Sequence, residues 1–407
     1  MQPDTVVRGI KVPDFPDDRL SIRGILLHHH NWGRYRLLHA DTLRKVEVEE
    51  AEKLLLCHQE ENGVVLLKCS NVDCGSRRRI TLGCNSRLCT RCGKPHVDRW
   101  AKYLRRLIHP VPHRHLTFTV PEQLRPVLKR HRKAWKTLMD AAIATLDEAL
   151  EKVIHGVGTR AGAIVVIHPF GRDLGFKPHL HVICPEGAFE RGRFVHKAYF
   201  PMDLFRKTWQ YHVLTGLRKV LPTDDPEVAG GLIDRMFREF PKGFVVHVTK
   251  ETRIRSVDHV IRYVGRYVRH PAIAESRLVG YDGERVSFKW KDHRTKEVRY
   301  RTLGVFEFIE ALLQHVPERN FKVVRHYGVY ARQLRKTFRP GAEHWSIEQG
   351  RTEDLLTWEG PPKWVRCLKC GAPMERVGYV PGPGRGKPAF GARMDDWGAM
   401  PASGSAA

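Results

Sequence analysis

The sequence has 407 residues and carries 70 Lys and Arg against 45 Asp and Glu, which leaves a formal net charge of +25. This length predicts two domains with extensions, and the positive charge predicts a polyanionic partner, with nucleic acid favoured over a membrane surface. No apolar run approaches the roughly 18 residues of a membrane-spanning helix, and the N-terminus lacks a signal-peptide pattern, so we expect a soluble, cytoplasmic protein.

The first part of the chain is predicted to hold a loose arm, a helix and a cluster of cysteines. Residues 1–20 are rich in Pro and Asp, and helical periodicity runs from Leu37 to Leu56. Six of the nine cysteines then fall between Cys57 and Cys92. Close cysteine pairs in a large intracellular chain are more often metal ligands than disulfides.

Two of the cysteine pairs have the spacing of a structural zinc site. A Cys-x4-Cys pair and a Cys-x2-Cys pair suit two turns that surround a tetrahedral Zn2+ ion. The four predicted ligands are Cys69, Cys74, Cys89 and Cys92. Cys57 and Cys84 are either alternate ligands or buried small hydrophobic residues. The distant pair Cys367 and Cys370 cannot close a site alone and would need ligands from elsewhere in the chain.

Positive charge is concentrated around the same cysteines. The candidate DNA-binding residues of this segment are Arg77, Arg78, Arg79, Arg87 and Arg91, with Lys94 beside them. A compact module with this charge favours contact with phosphates. The alternative is a solvated basic face, which is common on protein surfaces.

The pattern changes at His113, where apolar and polar residues alternate as in a β-strand that ends before Pro121. Helical spacing follows from about Glu122 to Ile154. Further strands are predicted at 163–168, 179–183 and 243–248. This order of strands and helices predicts an α+β sheet domain.

A pair of histidines marks one of these strands. His179 and His181 are two residues apart, so both side chains project from the same face of a strand. An antiparallel neighbour would present His168 beside them, and three imidazoles suit a divalent metal ion. The alternative is a chance His-x-His pattern, because the chain contains 23 histidines.

A predicted helix at 257–269 carries two tyrosines one turn apart. On a helical wheel Tyr263 and Tyr267 lie outside the apolar stripe, so they are not obvious core residues. The arginines on a separate face of this helix are Arg262, Arg266 and Arg269. The face suits phosphate contact or simple solvation. A tyrosine hydroxyl becomes a nucleophile when a nearby cation or base activates it, whereas edge packing is the alternative.

The remaining chain predicts a β-hairpin and a tail. Segments 285–290 and 298–303 alternate as paired strands, and the residues from 391 to 407 are rich in Gly, Ala and Ser and are predicted to be disordered.

Taken together, the order of cysteines, histidine strand and tyrosine helix resembles the rolling-circle insertion-sequence transposases of the IS91 family, within the HUH endonuclease superfamily. The resemblance covers about residues 25–375. The segments that carry it are Cys57 to Cys92, Gly162 to Ile183, Arg266 to Ala274, Val324 to Tyr330, and Cys367 with Cys370. Many relatives are expected to have Gln in place of His168, and some keep a single tyrosine, which corresponds to Tyr267.

The resemblance implies a ferredoxin-like or palm-like antiparallel sheet with helices, preceded by a small zinc-binding domain. It implies a transposase that nicks and rejoins single-stranded DNA at transposon ends and target through a 5′-phosphotyrosine. Mg2+ or Mn2+ would be the catalytic ion and Zn2+ the structural one. The predicted organisation is a loose arm at 1–20, a zinc-binding and DNA-binding domain at 21–110, an HUH catalytic domain at 111–275, an accessory region at 276–390 and a tail at 391–407.

In this interpretation His179, His181 and His168 hold the catalytic ion, and Tyr267 or Tyr263 attacks phosphorus. His259 is the alternative third ligand or general base. Two other functions stay open from the sequence. A replication initiator or relaxase would perform the same cut, and a zinc-dependent DNA-binding regulator would perform none.

Overall fold

The computed structural model describes residues 20–92, 104, 108–109, 111–156, 158–191, 193–197, 200–248, 271–292, 295–334 and 365–381. These residues form two compact units. One unit, the cysteine unit, combines the described residues of 21–92 with those of 365–381. The other, the sheet unit, contains Leu20 and the described residues from 104 to 334.

The described part of the chain contains short and long helices in both units. In chain order they are α1 (Ile22–Leu27), α2 (Asn31–Leu38), α3 (Lys45–Leu55), α4 (Arg125–Arg130), α5 (Trp135–Ile154), α6 (Met202–Val220), α7 (Pro226–Ala229), α8 (Leu232–Glu239) and α9 (Val305–Leu313). The strands are β1 (Gly63–Cys69), β2 (Arg77–Thr81), β3 (His113–Thr119), β4 (Gly162–Phe170), β5 (Phe176–Pro185), β6 (Gly187–Glu190), β7 (Arg193–His196), β8 (Val246–Val248), β9 (Leu278–Tyr281), β10 (Arg285–Lys291), β11 (Val298–Gly304), β12 (Val324–Gly328) and β13 (Met374–Pro381).

The cysteine unit is built on a three-stranded antiparallel sheet in the order β13-β1-β2. Its central strand β1 therefore pairs with one strand that is near in sequence and with another that lies about 300 residues away. The single helix predicted from Leu37 to Leu56 is two helices, α2 and α3. A turn separates them because the Glu47 carboxylate accepts a hydrogen bond from the Arg44 N–H at 3.0 Å and starts a new helix there.

The sheet unit contains a five-stranded antiparallel sheet in the order β12-β4-β5-β3-β8. Apolar side chains from one face of β3, β4 and β5 form a hydrophobic cluster with α5 and α6. Leu116, Val165 and Leu180 are examples, and each is fully buried. Alternation directs the neighbouring residues of the same strands to the opposite face. The α+β class predicted from the sequence is confirmed.

Two predicted elements of this unit differ from the structure. The helix expected from Glu122 to Ile154 is interrupted at His131, whose backbone has φ −104° and ψ 67° and whose ring hydrogen-bonds Asp225. The strand expected from Gly243 begins at Val246. Gly243 has φ +79°, and a Cβ there would lie 2.3 Å from the backbone of Arg206, so this position forms a tight turn instead.

The predicted hairpin at 285–303 is confirmed. Strands β10 and β11 pair in antiparallel register from Arg285 opposite Gly304 to Lys291 opposite Val298. Strand β9 completes this second three-stranded sheet, and α9 follows β11 directly.

Candidate metal centre

Three histidine side chains converge on the face of the five-stranded sheet that lies opposite the α5 and α6 cluster. His179 and His181 lie two residues apart on β5, and His168 on β4 is paired directly with His179. One ring nitrogen from each of the three lies within 4.8 Å of the others. The structure therefore brings together the three residues that strand alternation predicted.

The register between β4 and β5 places the three histidines on the face of the sheet opposite the hydrophobic cluster. Leu180 and Val182, which alternate with the histidines, are fully buried in the hydrophobic cluster. A slip of one residue would exchange the two faces and move imidazoles into the apolar core. An ion pair of 2.6 Å joins Lys177, near the start of β5, to Asp173 in the connection between the strands.

Two imidazoles of this centre, those of His179 and His181, are held in the neutral form that binds metal ions. Burial lowers the pKa of His179, and it lowers the pKa of His181 well below 6.5, where the neighbouring histidines act in the same direction. The Nδ1 atom of His179 lies 2.7 Å from the carbonyl oxygen of Lys177. A carbonyl only accepts, so Nδ1 carries the proton and the lone pair of Nε2 is available to a metal ion.

A fourth histidine, which sequence reasoning missed, contacts this group. His115 on β3 is buried, and its Nε2 lies 2.9 Å from Nδ1 of His181, with the two rings stacked. The signal was present in the sequence, because His113 and His115 form a second His-x-His pattern on a predicted strand. Burial is the main cause that lowers the pKa of His115 to about 4, and the nearby His247 and His179 act in the same direction.

The cysteines form two groups of four, which corrects the single site predicted from spacing. Cys57 and Cys84 join Cys89 and Cys92 in the first group. The second group combines Cys69 and Cys74 with Cys367 and Cys370. The four ligands predicted together are therefore divided between the groups, because strand pairing rather than distance along the chain decides which cysteines meet.

The sulfur positions in the first group match metal coordination. In the first group Cys57 Sγ lies 3.6 Å from the sulfurs of Cys89 and Cys92, and Cys84 Sγ lies 3.9 Å from that of Cys92. Four sulfurs at about 2.3 Å around a tetrahedral Zn2+ ion would lie about 3.8 Å apart, whereas a disulfide requires about 2.05 Å. Backbone N–H groups of Ser86 and Cys92 also donate to the sulfurs of Cys84 and Cys89 at 3.4 Å.

Comparison with known proteins identifies the relatives of this chain. The family described as "Putative transposase" matches residues 162–337, and the one described as "Transposase zinc-binding domain" matches residues 27–120. Over 307 residues the chain is 29% identical to the "Transposase for insertion sequence element IS801" of Pseudomonas savastanoi pv. phaseolicola, with 73% of each chain covered. Together these matches support an IS91-family transposase.

A second relative of this transposase is "Putative transposase y4qJ" of Sinorhizobium fredii. The two are 25% identical over 276 residues, which cover 65% of this chain and 69% of the relative. No solved structure matches the transposase. Its three histidines lie within the first family match, and the first cysteine group lies within the second, which indicates structural zinc.

The basic residues of the transposase's cysteine unit differ in exposure. Arg77 and Arg79 project from the same face of β2 and are exposed, and Arg79 pairs with Glu60 at 3.1 Å. Arg91 is also exposed, whereas Arg78 is half-buried. Burial lowers the pKa of Arg87, which lies beside the carboxylate of Glu50. The exposed arginines are therefore better placed for phosphate contact than Arg87.

The predicted tyrosine helix, with Tyr263, Tyr267, Arg262, Arg266, Arg269 and His259, lies outside the described residues. Two other tyrosines belong to β12 and the turn after it. Tyr330 is buried, and Tyr327 donates to the carboxylate of Asp140 at 2.7 Å. Burial raises the pKa of both hydroxyls, which disfavours the phenolate that a nucleophile requires.

Within the described ranges, no helix is both long enough and apolar enough to cross a membrane.

Proposed function

We propose that this transposase nicks and rejoins single-stranded DNA through a covalent 5′-phosphotyrosine, in the manner of the HUH endonucleases, during rolling-circle transposition. The observation that carries the proposal is the convergence of His168, His179 and His181 from paired strands in a transposase. The partners are single-stranded DNA at the ends of the element and at the target.

The three imidazoles fit a divalent cation. His179 presents Nε2 because its Nδ1 donates to a backbone carbonyl, and burial keeps His179 and His181 neutral. When bound, the ion would polarise the scissile phosphate and orient the 3′ leaving oxygen. Mg2+ prefers oxygen ligands, and so a set of three nitrogens favours Mn2+ of the two candidate ions.

The proposed nucleophile is Tyr267 or Tyr263, carried over from the resemblance. As the tyrosine oxygen bonds to phosphorus, the bond between phosphorus and the 3′ oxygen breaks, the tyrosine loses its proton and the 3′ oxygen gains one. The products are a 5′-phosphotyrosine and a 3′-hydroxyl. Reversal by a 3′-hydroxyl restores a phosphodiester without ATP, and a second tyrosine permits a second transfer.

We assign structural zinc in the family's zinc-binding domain to the first cysteine group. The four ligands are Cys57, Cys84, Cys89 and Cys92. The sulfur separations of 3.6–3.9 Å support this assignment. The net charge of +25 supplies the sequence-independent attraction to DNA, part of which we place on the exposed arginines of the same unit.

The test is a nicking assay on single-stranded oligonucleotides that contain an end of the element, with Mn2+ or Mg2+ added. We expect the double variant His179→Ala/His181→Ala to lose about 10²–10³-fold in nicking rate while it binds DNA as before. His212→Ala is the matched control, because His212 lies on α6 and pairs with Glu148 instead. A donor plasmid with both ends would separate transposition from replication initiation.

Full nicking by the double histidine variant would overturn the metal assignment. Specific DNA binding without cleavage under any metal would instead favour a DNA-binding regulator over an enzyme.

A further inference from the structure

The second cysteine group lies partly outside both family matches and closes across most of the chain. Cys69 and Cys74 lie in the match to the zinc-binding domain, whereas Cys367 and Cys370 lie beyond residue 337, where the other match ends. Cys69 Sγ and Cys370 Sγ are 3.5 Å apart although 301 residues separate them in sequence. Cys74 Sγ and Cys367 Sγ are 3.7 Å apart. These separations match tetrahedral thiolate coordination, where about 3.8 Å is expected.

Backbone contacts around the sulfurs shape two opposed turns. The Cys69 N–H donates to Ser76 O at 2.8 Å, which folds the chain around Cys74. In the partner turn, the Cys367 N–H donates to Ala372 O at 2.7 Å. Gly371 has φ +74°, a conformation that favours glycine and lets the turn close directly after Cys370.

The protein around this group supplies little other stabilisation. Met374 is the one buried residue of β13, and the remaining side chains of that strand are exposed or half-buried. The associated hydrophobic cluster contains seven buried residues, two of which are the cysteines Cys69 and Cys367 themselves. A small core of this kind usually requires a metal or another cross-link.

We propose that Cys69, Cys74, Cys367 and Cys370 bind a second structural Zn2+ ion, which holds β13 in place beside β1. Strand pairing from Cys69 opposite Met374 to Gly63 opposite Pro381 continues directly from the site. The ion therefore links the C-terminal segment that contains β13 to β1.

Metal analysis of the purified full chain tests this proposal. We expect two zinc ions per chain in the unsubstituted protein and one in Cys370→Ser, whose cysteine is exposed. Cys184→Ala is the control and should keep two, because Cys184 is buried on β5 outside both groups. Hydrogen exchange of residues 374–381 should accelerate in Cys370→Ser and remain unchanged in the control.

X-ray absorption at the zinc edge provides a test that needs no variant to fold. Two sites with four thiolates each predict an average of four sulfurs at about 2.3 Å per zinc ion. One zinc ion per unsubstituted chain, iron in place of zinc, or two zinc ions retained by Cys370→Ser would each overturn the proposal.

A different observation carries a second inference, which rests on the proposed function. His115 is buried on β3 and its Nε2 lies 2.9 Å from Nδ1 of His181. If Nε2 of His181 faces the metal ion, Nδ1 carries the proton and donates to His115. We infer that His115 is a positioning residue that fixes the ring and tautomer of His181.

The experiment measures Mn2+ binding directly, by electron paramagnetic resonance on the zinc-loaded protein without DNA. We expect His115→Leu to weaken Mn2+ binding about 10–100-fold and His115→Gln, which retains a hydrogen-bonding group, to restore most of it. The 15N chemical shifts of His181 in the unsubstituted protein should report the Nδ1–H tautomer, whether or not the variants fold.

Unchanged Mn2+ binding by His115→Leu, or the Nε2–H tautomer at His181, would overturn the role of His115. Absence of Mn2+ binding by the unsubstituted protein would instead overturn the proposed Mn2+ site, and this inference with it. The first two outcomes leave Mn2+ binding by the unsubstituted protein intact, so the two failures are distinguishable.

Discussion

The histidine centre and the cysteine groups place their side chains by different physical means. His168, His179 and His181 come from two strands that adjoin in sequence, and a two-residue repeat fixes which face they share. Each cysteine group instead collects side chains from separate segments, and the second joins residues about 300 positions apart. Local periodicity therefore suffices for the first site, whereas the second depends on which strands pair.

The largest expected effect is the unfolding of the cysteine unit while the sheet unit stays folded. Cys84 is fully buried in the first cysteine group. Structural zinc contributes about 10 kcal/mol or more of binding free energy to folding in small domains, so Cys84→Ser should unfold much of residues 21–92. Hydrogen exchange should show this loss while β4 and β5 stay protected.

The control for this experiment is His179→Ala, which should leave hydrogen exchange in both units close to that of the unsubstituted protein. Intact protection of residues 21–92 in zinc-depleted Cys84→Ser would show that the first group is not a structural metal site.

The next effect concerns chemistry rather than folding. We expect Tyr267→Phe to remove most nicking and Tyr263→Phe to impair chiefly the later transfer. The reason is that the resemblance to relatives with a single tyrosine covers Tyr267 alone. Mass spectrometry of protein trapped on an oligonucleotide should place the adduct on one of these residues. Tyr327→Phe is the control, since the Tyr327 hydroxyl is bonded to Asp140 and has a raised pKa.

An adduct on another side chain, or undiminished cleavage by Tyr263→Phe/Tyr267→Phe, would show that neither tyrosine is the nucleophile.

Acid should weaken the sheet unit through its buried histidines. Burial lowers the pKa of His113 and of His315 to about 3. The unfolded chain takes up protons below about pH 6.5 while these folded imidazoles stay neutral, so stability is full above that pH and falls as pH drops toward 3. Each contributes about 2 kcal/mol of destabilisation at pH 5.

Urea unfolding at pH 7.5 and pH 5 measures this effect. His315→Gln, in which the amide replaces the ring nitrogen near the carbonyl of Leu174, should show a pH dependence that is smaller by about 2 kcal/mol. The unsubstituted protein is the reference, and equal pH dependence of the two proteins would contradict the role of burial.

The smallest expected effect concerns DNA binding by the cysteine unit. It tests whether exposed arginines of this unit contact DNA phosphates without contributing to cleavage. Arg77→Ala/Arg79→Ala should reduce the slope of log affinity against log salt by about 2, because each phosphate contact contributes about 1. Nicking at saturating DNA should not change. Arg36→Ala is the control, as Arg36 is exposed on α2 and pairs with Glu52. An unchanged slope in the double variant would identify a solvated basic face.

The sequence by itself determined the elements whose signals are local. Alternation predicted β3, β4, β5 and the β10–β11 hairpin, because a half-buried strand repeats every two residues. The same alternation placed His168 beside His179 and His181. Helical periodicity, in contrast, failed at His131 and at the turn before α3, where hydrogen bonds to Asp225 and Glu47 accompany breaks in the predicted helices.

Only the tertiary structure decided the partners of the cysteines and the contact of His115 with His181. Pairing of β13 with β1 brings Cys367 and Cys370 to Cys69 and Cys74, and nothing in the spacing of either pair specifies that pairing. Likewise, β3 lies beside β5 because of the order of strands in the sheet. Periodicity reports which face a residue occupies, whereas the choice of neighbouring strand is set by long-range packing and hydrogen bonding.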